Sequence, residues 1–353
     1  MTDLFAPFTL GPLELSNRLV MAPLTRNRAG AGEAPTALAV EYYSQRATAG
    51  LIITEGTQPA AVGQGYPHTP GLHTDEQVAG WKAVAEAVHA KGGKIVAQIM
   101  HSGRIGHPDI TGVQPVGPSA VTPAGEVYTE KGMQAFTEPR PLETAELPGV
   151  IAEYVDAARR AVAAGLDGIE LHSANGYLLH QFLSDNTNQR TDGYGGSPDK
   201  RARFVIEVAQ AVAAAIGADK VGIRLSPGGQ FNDMAETEVE ATYTALIDGL
   251  NPLGLLYLHV VEGPETDFHA GLRKQWQGPF IFNTGFTGPS DLATAQASVD
   301  TGETDLFCIG RAFIANPDLV ERLKTGAELN EPDGDTFYAG GAKGYIDYPF
   351  LSA

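Results

Sequence analysis

The stretch Asp167-Gly-Ile-Glu-Leu-His172-Ser-Ala-Asn175-Gly-Tyr177 leads from a strand-like apolar run directly into polar and aromatic residues, and the polar part continues to Ser197. A histidine at the end of a buried strand, an amide three residues later and a phenol two further on can converge on one small space. Two of these groups can hold an oxygen, and the third can give a proton. Any one of these residues alone could simply belong to a packed polar loop. The choice between such a loop and a functional site therefore depends on the organisation of the whole chain.

A strand followed by a helical pattern recurs eight times along the chain. Continuous apolar strands that alternate with amphipathic helices indicate parallel pairing with both faces buried. Eight such units fit a closed (β/α)8 barrel, the α/β TIM-barrel fold, better than an open doubly wound sheet. We therefore expect one domain over residues 1–353. The strands are predicted at Arg18–Ala22, Leu51–Thr54, Lys94–Met100, Asp167–Leu171, Lys220–Leu225, Leu255–Val261, Phe280–Phe282 and Asp305–Ile309.

Two segments lie outside this alternation. Leu4–Asn17 resembles two short strands around Gly11-Pro12, which predicts a hairpin that plugs one end of the barrel. Residues 101–144 show no sustained period and are rich in Gly and Pro, which predicts a long excursion after strand three over one mouth of the barrel. Helix starts are predicted at the capping box Thr74-Asp-Glu-Gln77, near Leu147, at Ser197-Pro198, near Glu236 and near Gly288.

Composition narrows the class of protein. The chain has 353 residues, 43% of them hydrophobic and 19% charged, as in soluble globular proteins. A formal net charge of −18 argues against nucleic acid or an anionic membrane as partner. The single cysteine, Cys308, allows no intrachain disulfide and no cysteine-based metal cage, and residues 1–16 do not resemble a signal segment. We expect a cytoplasmic protein without a metal site, either a monomer or a homodimer.

In such a barrel the active site lies at the carboxyl ends of the strands, which here carry many polar side chains. Glycines also follow strands seven and eight, at Gly285 and Gly310. Loops at these two positions commonly bind phosphate, because glycine lets an anion approach the backbone N–H groups; tight turns are the alternative. The polar residues at the strand ends are Thr25, Glu55, Gln98, His101, His172, Asn175, Tyr177, Arg224, Asn283 and Arg311.

Six motifs, in order from about Leu4 to Pro349, resemble the Old Yellow Enzyme family of FMN-dependent ene-reductases. They are Pro23-Leu-Thr25-Arg26-Asn27, Gln98-Ile-Met-His101-Ser-Gly103-Arg104, His172-Ser-Ala-Asn175-Gly-Tyr177, Asn188-Gln-Arg190-Thr-Asp192-Gly-Tyr194-Gly195-Gly196-Ser197, Gly310-Arg311 and Gly340-Gly-Ala-Lys-Gly344-Tyr-Ile-Asp347-Tyr348-Pro349. The resemblance implies a (β/α)8 barrel and one noncovalent FMN.

The resemblance also implies roles for individual residues. The flavin ring is expected at Pro23, Leu24, Thr25, Gly56, Gln98 and Arg224, and the phosphate at Gly285, Gly310 and Arg311. The substrate is expected at His172, Asn175, Tyr66 and Met100, with Tyr177 as the proton donor. The chemistry of these side chains agrees, since the Gln98 amide offers both a donor and an acceptor and Arg224 is a permanent cation. The Thr25 hydroxyl can tune the flavin by hydrogen bonding to a carbonyl.

Three positions bear on the kind of family member. Met100 stands where many members carry tryptophan, and this affects substrate size and facial selectivity. Asn175 stands where some members have a second histidine. Thr25 stands where a thermophile-like branch carries cysteine, and this favours the classical branch.

The resulting hypothesis is that NADPH or NADH reduces FMN, which then reduces an alkene conjugated to a carbonyl or nitro group. Phenols are expected to bind in the same place. The alternatives are another flavin barrel, such as a dienoyl-CoA reductase or amine dehydrogenase with an iron–sulfur segment, and a flavin-binding redox sensor or interaction protein. A zinc hydrolase barrel is disfavoured, because no His-x-His follows strand one.

Overall fold

The structure is a computed structural model and describes residues 3–263, 268–285 and 291–351. Its strands are β1 Phe8–Leu10, β2 Leu13–Leu15, β3 Leu19–Met21, β4 Leu51–Ile53, β5 Ile95–Ile99, β6 Val116–Gly117, β7 Glu126–Thr129, β8 Gly132–Ala135, β9 Arg140–Pro141, β10 Gly168–Ser173, β11 Val221–Leu225, β12 Tyr257–Val261, β13 Phe280–Asn283 and β14 Leu306–Ile309. The helices are α1 Ala37–Gln45, α2 Asp75–His89, α3 Pro108–Thr111, α4 Leu147–Ala163, α5 Leu178–Leu183, α6 Pro198–Ile216, α7 Val239–Leu250, α8 Phe268–Gln275, α9 Leu292–Asp300, α10 Arg311–Ala315 and α11 Leu319–Thr325.

Eight parallel strands close into a barrel in the order β3, β4, β5, β10, β11, β12, β13 and β14, with β14 paired to β3. The predicted (β/α)8 fold is therefore confirmed, and each predicted barrel strand lies within two residues of its observed bounds. All five residues of β5 and all six of β10 are buried, as expected for strands covered on both faces. This pairing brings the carboxyl ends of all eight strands to one mouth of the barrel.

The N-terminal hairpin β1–β2 closes the opposite end. Its strands pair antiparallel, and its Leu10 and Leu15 are buried together with side chains that point into the barrel, such as Ile53 of β4. Gly11 at the turn has a φ of +55°, and its backbone faces Leu256, just before β12. The predicted plug is therefore confirmed, and it lies at the amino-terminal end of the barrel strands.

The helices follow their apolar periods. Thr74 caps α2 in a capping box with Gln77, as predicted. Ser197 occupies the N-cap position of α6, but its side chain makes no capping hydrogen bond, so Pro198 in the first turn is the start signal there. Helix α7 begins at Val239 rather than near Glu236, because the Glu236 carboxylate is used in the preceding loop, where it accepts the Gly228 N–H at 2.8 Å. The helix start predicted near Gly288 falls outside the described residues.

The excursion after β5 contains more regular structure than its sequence predicts. Strands β7 and β8 form an antiparallel hairpin, and β6 pairs with β9 in parallel. The absence of a sustained period in the sequence therefore did not predict the hairpin at 126–135. Alternation over two four-residue strands, in which only Val127 and Thr129 are buried, gives too weak a signal to recognise.

Candidate active site

The turn after β10 presents the first three candidate residues. Asn175 and Gly176 both have positive φ, +55° and +77°. Asparagine and glycine tolerate this left-handed conformation, which gives the Asn175 position a backbone reason for its residue type. The loop after β11 clamps the turn from outside, because Ser226 Oγ accepts the Asn175 N–H at 2.8 Å and Asn232 Nδ2 donates to the Asn175 carbonyl at 2.8 Å. The turn is therefore held from both sides of its backbone.

Helix α5 and the excursion hold the same turn from below. His180 Nδ1 accepts the Gly176 N–H at 2.9 Å, and Gln181 Nε2 donates to the Gly176 carbonyl at 2.7 Å. Gln181 also accepts the backbone N–H of Arg104, whose buried guanidinium donates to the carbonyls of Asn232 and Asp233. The turn, the excursion and the loop after β11 are therefore fastened together at one mouth of the barrel.

Two phenols face each other beside the turn. The Tyr177 and Tyr66 hydroxyl oxygens are 2.9 Å apart, and the Tyr177 ring lies 5.2 Å from the ring of His172. Met100 packs against Tyr177 in a small apolar cluster with Ile105, and Phe136, just after strand β8, borders it. The structure thus brings His172, Tyr177, Tyr66 and Met100 together. Phe136 was not expected there, because no local pattern in the sequence marks it.

Burial sets the protonation states of this group. Desolvation lowers the pKa of His172 well below its ordinary value, and the nearby Arg224 and His259 lower it further, so the imidazole is neutral near pH 7. Desolvation also raises the pKa of Tyr177 well above 10, and the Tyr66 hydroxyl adds to this shift. The site therefore offers a neutral imidazole and a phenol that keeps its proton.

A polar layer crosses the barrel beneath these residues. Gln98 Nε2 donates to Glu170 Oε1 at 2.8 Å, and His259 Nδ1 lies 2.8 Å from Glu170 Oε2. Arg224 is next to His172 in the pairing of β10 with β11 and is 6% exposed. Within the described residues its Nε has no hydrogen-bond partner, and neither has His172 Nδ1. A buried polar atom without a protein partner calls for a ligand, a water molecule or an ion, and here two such atoms lie on adjacent strands.

The sequence did not single out Glu170 or His259. The available signal is that each is the polar residue inside an otherwise apolar strand, in Ile169-Glu170-Leu171 and Leu258-His259-Val260. A polar side chain at such a position is expected to have a buried partner. Asn232 was also missed, and no local signal marks it, because its role depends on a contact with Asn175, 57 residues away.

The residues after β3 follow a strand that is three places from β10 in the barrel, so they lie apart from the turn. Pro23, Leu24 and Thr25 are half-buried. A side chain at Gly310 would contact Leu24 at 3.5 Å, which places the loop after β14 against this segment. Gly56 lies against Met100, and a Cβ there would come within 2.6 Å of the Met100 sulfur.

The two glycine-bearing loops differ from each other. The Gly285 N–H donates to Asn283 Oδ1 at 3.0 Å, and Gly285 has a φ of +77°. Arg311, which opens the five-residue helix α10, is exposed.

Three of the polar strand-end residues point elsewhere. Glu55 lies behind the mouth, where Oε2 accepts the Arg26 N–H at 3.2 Å and Oε1 lies 3.4 Å from the Tyr43 hydroxyl. Burial raises the Glu55 pKa to about 7. His101 Nδ1 accepts the N–H of Gly103, and Asn283 Nδ2 donates to the Cys308 carbonyl. These side chains support the framework of the mouth.

The described residues contain neither a metal-binding cluster nor a membrane-spanning helix. No group of three or more His, Cys, Asp or Glu side chains there could hold a metal ion. Within the same residues, no helix has the length and apolar character that crossing a membrane requires.

Comparison with known proteins covers nearly the whole chain. Residues 3–330 match the profile of the NADH:flavin oxidoreductase / NADH oxidase family. The protein named 12-oxophytodienoate reductase 1, from Oryza sativa subsp. japonica, is 43% identical over 362 residues, spanning 99% of this chain and 93% of the relative. A Leishmania infantum protein named "Probable flavin mononucleotide-dependent alkene reductase" is 42% identical over 355 residues, spanning 98% of this chain and 96% of the relative.

Solved structures agree with these relatives. Morphinone reductase superposes with a TM-score of 0.94 at 46% identity, covering 99% of this chain and 96% of that one. The old yellow enzyme homologue from Zymomonas mobilis superposes with a TM-score of 0.96 at 38% identity, covering 99% of this chain and 100% of that one. The resemblance seen in the sequence is confirmed: the chain belongs to the NADH:flavin oxidoreductase / NADH oxidase family, the Old Yellow Enzyme family, and is an NAD(P)H-dependent flavin oxidoreductase.

Proposed function

We propose that this protein is an FMN-dependent ene-reductase acting on alkenes conjugated to a carbonyl or nitro group. The proposal rests on one observation: the barrel mouth holds two neutral hydrogen-bond donors, His172 and Tyr177, beside the buried guanidinium of Arg224. Within the described residues the Nε of this guanidinium has no hydrogen-bond partner. The names of two relatives, an alkene reductase and a 12-oxophytodienoate reductase, describe reductions of this kind. When bound, FMN supplies the hydride that it has taken from NADPH or NADH.

The residues at the mouth fit a flavin. Gln98 turns its nitrogen toward Glu170, which leaves its oxygen and a second N–H for the pyrimidine edge of a flavin. Arg224 would offset the negative charge that a reduced flavin carries. We assign the ring to Pro23, Leu24, Thr25, Gly56, Gln98 and Arg224, and the phosphate to Gly285, Gly310 and Arg311. At Gly285 the N–H is already bonded to Asn283, so phosphate binding there requires that bond to be exchanged.

The substrate would lie over the flavin with its activating oxygen on His172 and Asn175. A neutral imidazole and an amide both donate hydrogen bonds, and two such donors would stabilise the charge that grows on the oxygen, each by about 3 kcal/mol in comparable oxyanion sites. Tyr177 would protonate the α-carbon, since burial keeps its proton in place. Tyr66 and Met100 would border the alkene.

The same donors would bind phenols as phenolates stacked on the oxidised flavin. Because His172 is neutral across the working pH range, binding should follow the acidity of the phenol and not a titration of the protein. We further propose a cytoplasmic monomer or homodimer, in keeping with the net charge of −18 and a lone, buried cysteine.

One sequence of measurements tests the function. The purified protein should be yellow and release FMN on denaturation. Under anaerobic conditions NADPH or NADH should bleach it, and 2-cyclohexenone should restore the colour with formation of cyclohexanone. A protein that yields FAD, or that binds no FMN on reconstitution, contradicts the cofactor assignment. Bleaching without faster recovery in the presence of any activated alkene favours a redox sensor instead.

A further inference from the structure

The polar layer inside the barrel contains two groups to which the proposed reaction gives no direct role, Glu170 and His259. Both side chains are completely buried. Glu170 is the direct register partner of Gln98 across the pairing of β5 with β10. A buried carboxylate is costly unless it is paired and hydrogen-bonded, and each oxygen of this one has a partner at 2.8 Å.

The chemistry of Glu170 fixes the orientation of both partners. Burial by itself would raise the pKa of Glu170, but His259, Arg224 and the Gln98 amide together lower it below the ordinary value, so the side chain is a carboxylate. A carboxylate only accepts hydrogen bonds, so Gln98 must face it with its nitrogen and His259 must hold its proton on Nδ1. Gln98 is 2% exposed, so its amide has little access to water as an alternative partner.

Strand β11, next to β10, leaves space for the Gln98–Glu170–His259 arrangement. The register partner of Glu170 on β11 is Gly222, and a Cβ there would lie 2.2 Å from the Tyr257 ring. Tyr257 lies on β12 two residues before His259, so a side chain at position 222 would displace its ring. The layer is therefore built across three consecutive pairs of strands, β5 to β10, β10 to β11 and β11 to β12.

We propose that Glu170, held by His259, is a positioning residue that makes Gln98 present an acceptor oxygen and one N–H to the bound ring. This pattern selects a ring edge in which an N–H stands next to a carbonyl, as in the imide edge of a flavin. The inference rests on the proposed function, because Gln98 must be at the flavin. Beyond that function, the inference explains why the Gln98 amide does not flip and present two N–H donors to the ring.

Glu170→Gln tests the proposal, because a second amide can give its own N–H to the Gln98 oxygen and so let Gln98 flip. Apoprotein would be titrated with FMN and with 3-methyl-FMN, which lacks the imide N–H, and the ratio of the two Kd values compared. Wild type should bind FMN much more tightly than the methylated analogue. In Glu170→Gln the affinity for FMN should fall and the ratio should shrink about tenfold, the scale of one hydrogen bond to a buried partner.

Substitutions at His259 test the same proposal while leaving the Glu170 carboxylate in place. His259→Phe removes the Nδ1 donor but keeps a ring, and it should shrink the ratio as Glu170→Gln does. His259→Asn puts an amide N–H at the same position and should restore the wild-type ratio. Val96→Ala, on β5 in the apolar interior two residues before Gln98, is the control for lost stability and should leave the ratio unchanged.

The outcomes separate the two proposals. If wild type does not bind FMN, the proposed function fails and this inference fails with it. If wild type discriminates against 3-methyl-FMN and both Glu170→Gln and His259→Phe keep the full ratio, only the positioning role is overturned. An equal loss of the ratio in Val96→Ala would overturn it as well, since general loosening of the barrel would then explain the effect.

Discussion

Among single residues, Tyr177 is the one whose substitution should distinguish flavin reduction from alkene reduction most clearly. Tyr177→Phe removes one oxygen, which lies 2.9 Å from Tyr66, and leaves the packing against Met100. We expect near-normal flavin reduction by NADPH but alkene reduction slowed by about 10²-fold or more, the usual scale of a lost general acid. A nitroalkene should be affected less, since its nitronate product can leave and be protonated by water. Stopped-flow measurement of both half-reactions checks this, and equal slowing of both would point to a disturbed flavin site.

Glu55 should give the protein a pH-dependent stability. Its pKa is raised by burial to about 7 in the folded protein, above the ordinary value of 4.5. Folding therefore favours the protonated carboxyl, and this stabilisation is fully present below about pH 4.5 and is lost as pH rises through about 7. Glu55→Gln mimics the neutral carboxyl, so the variant keeps this stabilisation at every pH. The advantage of the variant in free energy of unfolding should grow by about 2 kcal/mol between pH 5 and 8.

Urea unfolding of flavin-free protein at both pH values measures this difference, because bound ligand would add its own stabilisation. Glu86→Gln is the matched control, since that carboxylate is 69% exposed beside Lys82. A difference between Glu55→Gln and wild type that stays constant from pH 5 to 8 would show that Glu55 is ionised throughout.

At the scale of elements, the strands and helices that depend on a local sequence pattern could be predicted. The eight barrel strands were found because each is a continuous apolar run, and α2 because Thr74 and Gln77 form its capping box. Candidate residues such as Gln98 and His172 followed from the rule that barrel strands end at the active site. The hairpin β7–β8 was not predictable, because two four-residue strands with only Val127 and Thr129 buried give too weak an alternation. The clamp of Asn232 on the turn was not predictable either, because it depends on a contact with a residue 57 positions away.

The excursion should act on substrate binding through Arg104. This guanidinium is 1% exposed and donates to the carbonyls of Val121, Asn232 and Asp233. Arg104→Met keeps the length of the side chain but leaves the three carbonyls without that donor. We expect KM for an enone to rise about tenfold or more as the loop and turn loosen, since misplacement by about 1 Å can cost 10²-fold. Flavin content should not change.

Steady-state kinetics and hydrogen exchange across residues 226–238 are the two measurements. Arg140→Met on the same excursion is the control, because Arg140 makes an exposed ion pair with Glu146, and such pairs are worth at most about 1 kcal/mol. Unchanged KM together with unchanged exchange in Arg104→Met would show that the loop after β11 is held by Ser226 and Asn232 without help from the excursion.

At the scale of the whole molecule, the C-terminal tail, residues 336–349, is bound to the loop that follows β3. Arg26 Nη2 donates to the Gly344 carbonyl at 2.7 Å, and Arg28 donates to the carbonyls of Thr336 and Ala339. Residues more than 300 positions apart in sequence are thereby joined beside the candidate flavin segment 23–25. This closure brings the first and last motifs of the sequence together in space, as expected for a single domain.

Tyr345 offers a test of that single-domain expectation. Its ring is fully buried, stacks on Tyr42 at 4.1 Å and lies under the guanidinium of Arg28. Tyr345→Ala should lower the free energy of unfolding by about 3–5 kcal/mol. Tyr345→Phe should change it by less than about 1 kcal/mol, because the hydroxyl is buried without a hydrogen-bond partner in the described residues.

The two tryptophans report on the two halves of the barrel separately, Trp81 on α2 and Trp276 just after α8. Each can be observed alone by replacing the other with phenylalanine, and each background is compared with and without Tyr345→Ala during urea unfolding. If the chain is one cooperative domain, both probes should report the same midpoint, and Tyr345→Ala should shift both equally. A shift seen by Trp81 alone, next to the tail's binding site, would mean that the halves unfold as separate units. The long-range contacts of Arg26 and Arg28 would then stabilise only the first half of the barrel.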